Sequence, residues 1–373
     1  MSDAQVLNRF DDWLKEDSAV AALVMRQWLV PVEGKEAVIF PPTYTRPERM
    51  KEEEWTGYNI DRCEDGTNVC QIDSVGSQAN RMEPIFKREP YNKLVPQVII
   101  KAGDKEINLL DAGHRAADAV VRFSDLSAQL QEAFRAIRDN GDAEPLARIA
   151  PTSIVFGSWD SRATQVKLPR IVRSVVRSYG VRQLHRSAQY IPPVDYVGEG
   201  LLDPPEGKQQ QDSMSELGLS HAPAPWTHGG VQALGEIRRD ATLNLVAVRA
   251  LGARSNQTAS VLKLRRYILG LALVGFRAPQ ETFLREGCQL VPDPERNAQW
   301  ELVQHDGKRL PVTVSPEESL KYAQAAAQDF GVGEDRTATF DARKAKATLS
   351  QSKEERKARR RRAQTSPEED TEP

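Results

Sequence analysis

Apolar and polar positions along the chain alternate in two rhythms, one near 3.6 residues and one of two. From Leu7 to Val30 the helical rhythm holds, with Leu14, Ala21, Ala22, Met25 and Leu29 on one face, and Pro31 stops it. Glu36 to Phe40 reads as a short strand. Asp73 to Met82 reads as a short helix with Val75, Ala79 and Met82 turned inward. Val95 to Lys101 and Glu106 to Leu110 predict two strands around a Gly103-Asp104 turn. Asp111 is placed to cap a helix over Ala112 to Phe123, and Asp125 to Asn140 predicts another, ended by Asn140-Gly141.

The segment from Pro151 to Tyr196 is the one the rest should be organised around. It opens with Ile154-Val155-Phe156, a buried-strand run, and turns through Gly157 to Arg162. The clearest helical pattern follows, with Leu168, Ile171, Val172, Val175, Val176 and Tyr179 on one face between Pro169 and Gly180. Beyond it, Ala241 to Arg249 alternates as a strand, and Thr258 to Phe276 predicts a helix burying Val261, Leu264, Ile268, Leu271 and Val274. Gln289 to Val291 predicts a closing strand, and Trp300 to Val303 with Leu310 to Val314 a peripheral hairpin.

Charge changes the picture at the central segment. On the predicted helix, Arg170, Arg173 and Arg177 form a stripe apart from the apolar face. From Pro151 to Tyr190 the cations are Arg162, Lys167, Arg170, Arg173, Arg177, Arg182 and Arg186, opposed only by Asp160. Two readings stand: a solvated face, or an anion-binding ridge. The stripe lacks the interleaved acids that balance a solvated helix, and guanidinium forks suit phosphate oxygens. A second basic and polar cluster, Arg182 to Gln189, follows directly.

At these residues a resemblance enters. FGSWDSRATQVKLPRIVRSVVRSYGV with RSAQYIPPVDY resembles the backbone subunit of type I-G (formerly I-U) CRISPR effector complexes, within the RAMP superfamily. SVGSQANRME (Ser74 to Glu83) and AGHR (Ala112 to Arg115) fit the same family, and the resemblance spans roughly residues 70 to 295. It implies an α+β fold on a ferredoxin-like or RRM-like palm. It also implies a subunit that polymerises along a CRISPR RNA and presents the guide to target DNA, beside other effector subunits and a separate helicase-nuclease. Guide sequence varies, so such a subunit must grip phosphates and leave base edges free. The expected RNA contacts are Ser77, Gln78, Asn80, Arg81, His114, Arg115, Arg162, Lys167, Arg170, Arg173, Arg177, Arg186 and Gln189. For Ser77 to Arg81 a capped surface helix is the competing reading. For His114 the competing reading is a neutral imidazole bonded within the fold.

With 373 residues and a net charge of −2, the chain as a whole does not advertise nucleic-acid binding, so local distribution must decide. Domain organisation is expected as one RNA-binding domain over 1–340, with insertions near 41–70 and 198–230, and a disordered charged tail over 341–373. In the second insertion Trp226 and His228 either wedge against bases or pin a loop. The Arg359 to Arg362 run either holds nucleic acid non-specifically or solubilises. Cys63, Cys70 and Cys288 show no paired spacing, no apolar run approaches a membrane span, and no secretion signal is visible, so a cytoplasmic location is expected.

No phosphate-binding Gly-rich loop, His-Glu-x-x-His or paired Cys-x-x-Cys is present. No enzyme activity, cofactor or metal is therefore expected. The alternatives are a RAMP-type endoribonuclease, drawing on one of the five histidines or on Asp160, and a non-polymeric RNA-binding module.

Overall fold

The computed structural model describes residues 3–46, 48–49, 55, 57–253, 258–277 and 282–350. Helices and strands are mixed, in an α+β arrangement. Its frame is a nine-stranded sheet in which every pairing is antiparallel. The order along the sheet is Phe283–Arg285, Cys288–Pro292, Val20–Pro31, Ile237–Asn244, Val172–Tyr179, Asn68–Asp73 and Ile60–Arg62. The long Val20–Pro31 strand shares its outer edge between two partners. Gln299–Gln304 pairs with its first half and Cys288–Pro292 with its end, and Arg309–Pro311 completes the sheet.

Two predicted helices are therefore strands, and the reason is the same for both. The stretch over 168–179 is Val172–Tyr179, preceded by a two-residue strand at Lys167–Leu168. The stretch over 7–30 is short helical turns up to Leu14 and then the strand Val20–Pro31. Valines at positions 172, 175 and 176 satisfy either rhythm, and β-branched side chains are stiff in helices and pack well on a pleated surface. Gly180 has the expected positive φ of 75°, but it turns one strand into the next, Val181–Tyr190. The Ile154-Val155-Phe156 run is the reverse error. It lies in and just after a buried one-turn helix, Thr152–Val155.

One face of the sheet is covered. Leu23, Met25, Val172, Val176, Ala241 and Leu243 point into it, and the Thr258–Arg277 helix lies across, with eleven residues buried. That helix packs on Pro316–Phe330, which the sequence reading did not anticipate. Tyr267 stacks on Phe330 at 4.7 Å, and its hydroxyl donates to the Leu94 carbonyl. A smaller apolar cluster, with free Cys70 and Cys288 in it, sits where a separate three-stranded sheet meets the frame. That sheet is Val181–Tyr190, Ala222–Ala233 and Val38–Ile39.

Other expectations resolve as follows. Val98–Ala102 and Lys105–Asn108 pair around Gly103, and Ser127–Asn140 ends on left-handed Gly141, as expected. Val75–Met82 is helical, capped by Ser74. The helix expected over 112–123 is instead a three-residue 3-10 turn and a one-turn helix, Ala119–Arg122, capped by Asp118 rather than Asp111. Strand Ile237–Asn244 stops where Asn244 caps a short helix, Leu245–Arg249. Within the expected insertions, 60–62 and 68–70 join the main sheet and 222–230 belongs to a strand, while Lys208–Glu216 is the helix between them. Ala342–Ser350 is helical although it was expected to be disordered, and the remaining tail, with Arg359 to Arg362, lies outside the described residues. No described helix is long and apolar enough to cross a membrane.

Candidate nucleic-acid interface

Alternation along the central strand sends Val172, Ser174, Val176 and Ser178 into the covered face and Arg173, Val175, Arg177 and Tyr179 to the other. Register extends that open face sideways. Arg177 lies opposite Arg238 on one side and Gln71 on the other, Val175 opposite Asp240, and Arg173 opposite Thr242. One strand further, Arg26 lies opposite Asp240 and Trp28 opposite Arg238. None of these outward side chains belongs to either apolar cluster. On this platform Val175 and Trp28 are buried but join neither cluster, and the rest of it is polar and charged.

Its four arginines are not equivalent. Arg238 is held on both sides, at 2.9 Å by Asp240 and 2.7 Å by Glu236, and lies over the Tyr179 ring. Arg26, Arg173 and Arg177 make no ion pair among the described residues. Arg173 and Arg177, four residues apart on one strand, are roughly 13 Å apart along it. A helix would have stacked them about half as far apart.

Arg170 joins them from the turn before the strand. It too has no ion-pair partner among the described residues, and its pKa is held down by partial burial and then by the neighbouring charges of Arg115 and Arg173. Arg170 lies within electrostatic reach of both Arg115 and Arg173, and among the described residues only Arg115 has a carboxylate partner, Glu83, which leaves an excess of positive charge. An anion between Arg170 and Arg173 would relieve that repulsion. The turn forms because Gly157 adopts φ 77°. A Cβ there would lie 2.8 Å from Arg170 Cγ and 3.1 Å from the Leu168 carbonyl.

Beside Arg170 a small hairpin, Ser158–Trp159 with Lys167–Leu168, carries Arg162 at its tip, exposed and without an ion-pair partner among the described residues. Lys167 Nζ sits 5.6 Å from the ring centroid of Trp159, a residue 57% exposed. An exposed indole beside cations is a stacking surface for a base. The sequence reading missed Trp159. Its signal was a tryptophan inside a polar turn. Asp160 closes this hairpin by accepting from the backbone N–H and hydroxyl of Thr164, so it is occupied within the turn.

The remaining expected residues divide. Gln78 and Arg115 are buried and bonded internally, which corrects their assignment as surface contacts. Gln78 links Asp73 to Ser174, and Arg115 reaches Glu83, Asn80 and the Gly157 carbonyl. Arg81 is half-buried on Asp73 and the Leu284 carbonyl. Asn80 is exposed but accepts from Arg115, and Ser77 is half-buried. Arg115, supported by Asn80, positions the Gly157 turn from behind. His114 is exposed beside Asp118 and does not start a long helix. Arg186, over the Phe40 ring, and Gln189 lie on the separate three-stranded sheet, away from the platform strands. His228 pins its segment against Tyr58 (ring centroids 5.5 Å), and the Trp226 side chain lies outside the described ones.

Residues 23–183 match the family model described as CRISPR-associated protein GSU0053. That bears out the resemblance to CRISPR-associated proteins. The match starts earlier than the motif-based span of 70 to 295 and stops sooner, covering the platform through Arg177. No curated protein matches the chain. Among solved structures, a chain titled "CRISPR RNA-guided surveillance complex, pre-nicking" is similar at 12% identity over 83% of this chain and 86% of that one, with a TM-score of 0.35. A likeness that distant carries no argument.

Proposed function

From a chain whose residues 23–183 carry the model of a CRISPR-associated family, we propose a guide-RNA-binding subunit of a type I effector complex. The observation that carries this is the row Arg170, Arg173 and Arg177, without ion-pair partners among the described residues, running from the turn before the central strand along that strand's outward face. The row binds RNA phosphates without reading sequence. Arg26 widens it, and Trp159 with Lys167 and Arg162 holds a base at its end. Asn80 and Arg115 set the turn that aims Arg170.

The finer assignment belongs to the same proposal: a type I-G backbone subunit, polymerising in tandem along the guide and presenting it to target DNA beside a helicase-nuclease. It rests on the sequence blocks around the row. The ferredoxin-like palm remains part of the proposal, supported only in outline by an antiparallel sheet with helices on one face. We propose a binding protein rather than a nuclease, because Asp160 is held within its own hairpin. Electrophoretic mobility of the chain with a guide RNA, with unrelated single-stranded RNA and with precursor RNA tests all three parts. We expect discrete, laddered complexes on guide-length RNA and no cleavage. Absence of RNA binding, or a cut precursor, would overturn the reading.

A further inference from the structure

On the covered side of the sheet, opposite the platform, lies a cavity of about 260 Å³. Its floor is the inward face of three strands, through Met25, Leu29 and Val176, and its wall is the end of the Thr258–Arg277 helix with Trp300. Two arginines line it. Arg239 is 5% exposed, and among the described residues it has no carboxylate partner. Its Nε donates to Ser174 Oγ at 2.9 Å and one terminal nitrogen reaches the Met82 sulfur at 3.8 Å, a weak acceptor. Burial alone pushes its pKa down, to about 10.

Arg277 lies over the Trp300 ring at 4.0 Å, and its Nε is buried with no hydrogen-bond partner. Burial lowers its pKa as well. Glu317 acts on it only from a distance, without an ion pair among the described residues. A buried cation without a counter-charge is costly, and so is a buried donor without an acceptor. Arg239 is the buried cation and half-buried Arg277 supplies the buried donor, and an anion between them would offset both costs.

We infer that this cavity is a binding site for a phosphate monoester carrying a flat apolar group. Two guanidinium forks match a group bearing −1.5 to −2 charges near neutral pH better than they match a singly charged carboxylate. The space exceeds what a bare phosphate needs, since it holds roughly nine water volumes. Gln27, Gln78 and Thr282 add polar groups to its lining, and the rest of the wall is apolar and aromatic, with Phe276 edge-on to Trp300 at 5.2 Å. The site is independent of the RNA platform. Arg239 and Arg177 stand on adjacent strands but on opposite faces of the sheet.

The test is calorimetric titration of the full chain at low salt with phenyl phosphate, inorganic phosphate and benzoate. Phenyl phosphate should bind once per chain, at least tenfold tighter than either of the others. Arg239→Met and Arg277→Met should each weaken it tenfold or more. Arg239→Met should melt at or above the wild-type temperature, because it removes an uncompensated buried charge, and it should keep wild-type affinity for guide RNA. Absence of saturable phenyl phosphate binding, or wild-type affinity in both variants, would overturn the site. Benzoate binding as tightly would overturn the phosphate assignment, and inorganic phosphate doing so would overturn the apolar part. Should Arg239→Met not fold, Arg277→Met decides alone.

Discussion

Arg115 Nε donates to Glu83 Oε2 at 2.7 Å, and both side chains are almost fully buried, 4% and 1% exposed. Arg115 adopts a left-handed φ of 54° to make this contact, a conformation uncommon for a non-glycine residue. The same guanidinium reaches Asn80 and the Gly157 carbonyl, so one buried pair couples the Val75–Met82 helix to the turn that presents Arg170.

This pair has a pH signature. Burial pushes the Glu83 carboxyl up to about 7, with Arg115 pulling the other way. A carboxyl raised in the folded state favours folding most below its unfolded value, near 4.3, and that contribution is lost as pH rises through about 7. Glu83→Gln cannot titrate. Its stability relative to wild type should therefore increase from about pH 4.5 to about pH 7, by up to roughly 3 kcal/mol. Urea denaturation of both proteins across that range measures it, and a difference that falls with pH would show that the ion pair outweighs burial.

Arg170→Ala, Arg173→Ala and Arg177→Ala should each weaken RNA binding about equally for unrelated guides. Each should also reduce the slope of log affinity against log salt by ~0.7, one phosphate contact on a single strand. Because their side chains lie outside both apolar clusters, melting temperatures should stay near wild type. Unchanged slopes would mean a solvated face, and guide-dependent losses would mean base readout.

Gly157→Ala places a Cβ against Arg170 and the Leu168 carbonyl at a left-handed φ. Strain of about 1–2 kcal/mol is expected, together with loss of Arg170's share of RNA binding. Thermal melts and binding on the same variant check both. A variant as stable as wild type with full affinity would remove the turn from the account.

Trp159→Ala should weaken RNA binding by about 1–3 kcal/mol, the range for one stacked base. The ring is largely exposed, so stability should change little. Fluorescence of this indole on RNA addition is the direct readout, best taken as the difference between wild type and the variant. Identical titration curves would reduce Trp159 to an exposed surface residue.

Truncation after Phe340 should leave the fold and RNA complexes intact, since Ala342–Ser350 buries no residue. Cutting after Thr339 should lower the melting temperature, because the Phe340 ring packs edge-on against Phe123 at 6.2 Å. Equal melting temperatures for the two truncations would show that this contact contributes nothing.

Much of the site was legible in the chain by itself. The density of arginine between Asp160 and Arg177, with Asp160 the one opposing acid, is a property of composition. So are the Gly141 and Gly180 turns and the Thr258–Arg277 helix, whose apolar run is too long for a strand. What the chain could not decide was whether Val172 to Tyr179 is a helix or a strand. Its valines fit both periods, and the choice depends on pairing with Ile237–Asn244, some sixty residues later. That pairing also decides which cations are available. Arg115 and Arg173 look alike in sequence, but folding brings Glu83 to one and no carboxylate to the other. A charge's availability depends on its neighbours in space, and only tertiary structure supplies them.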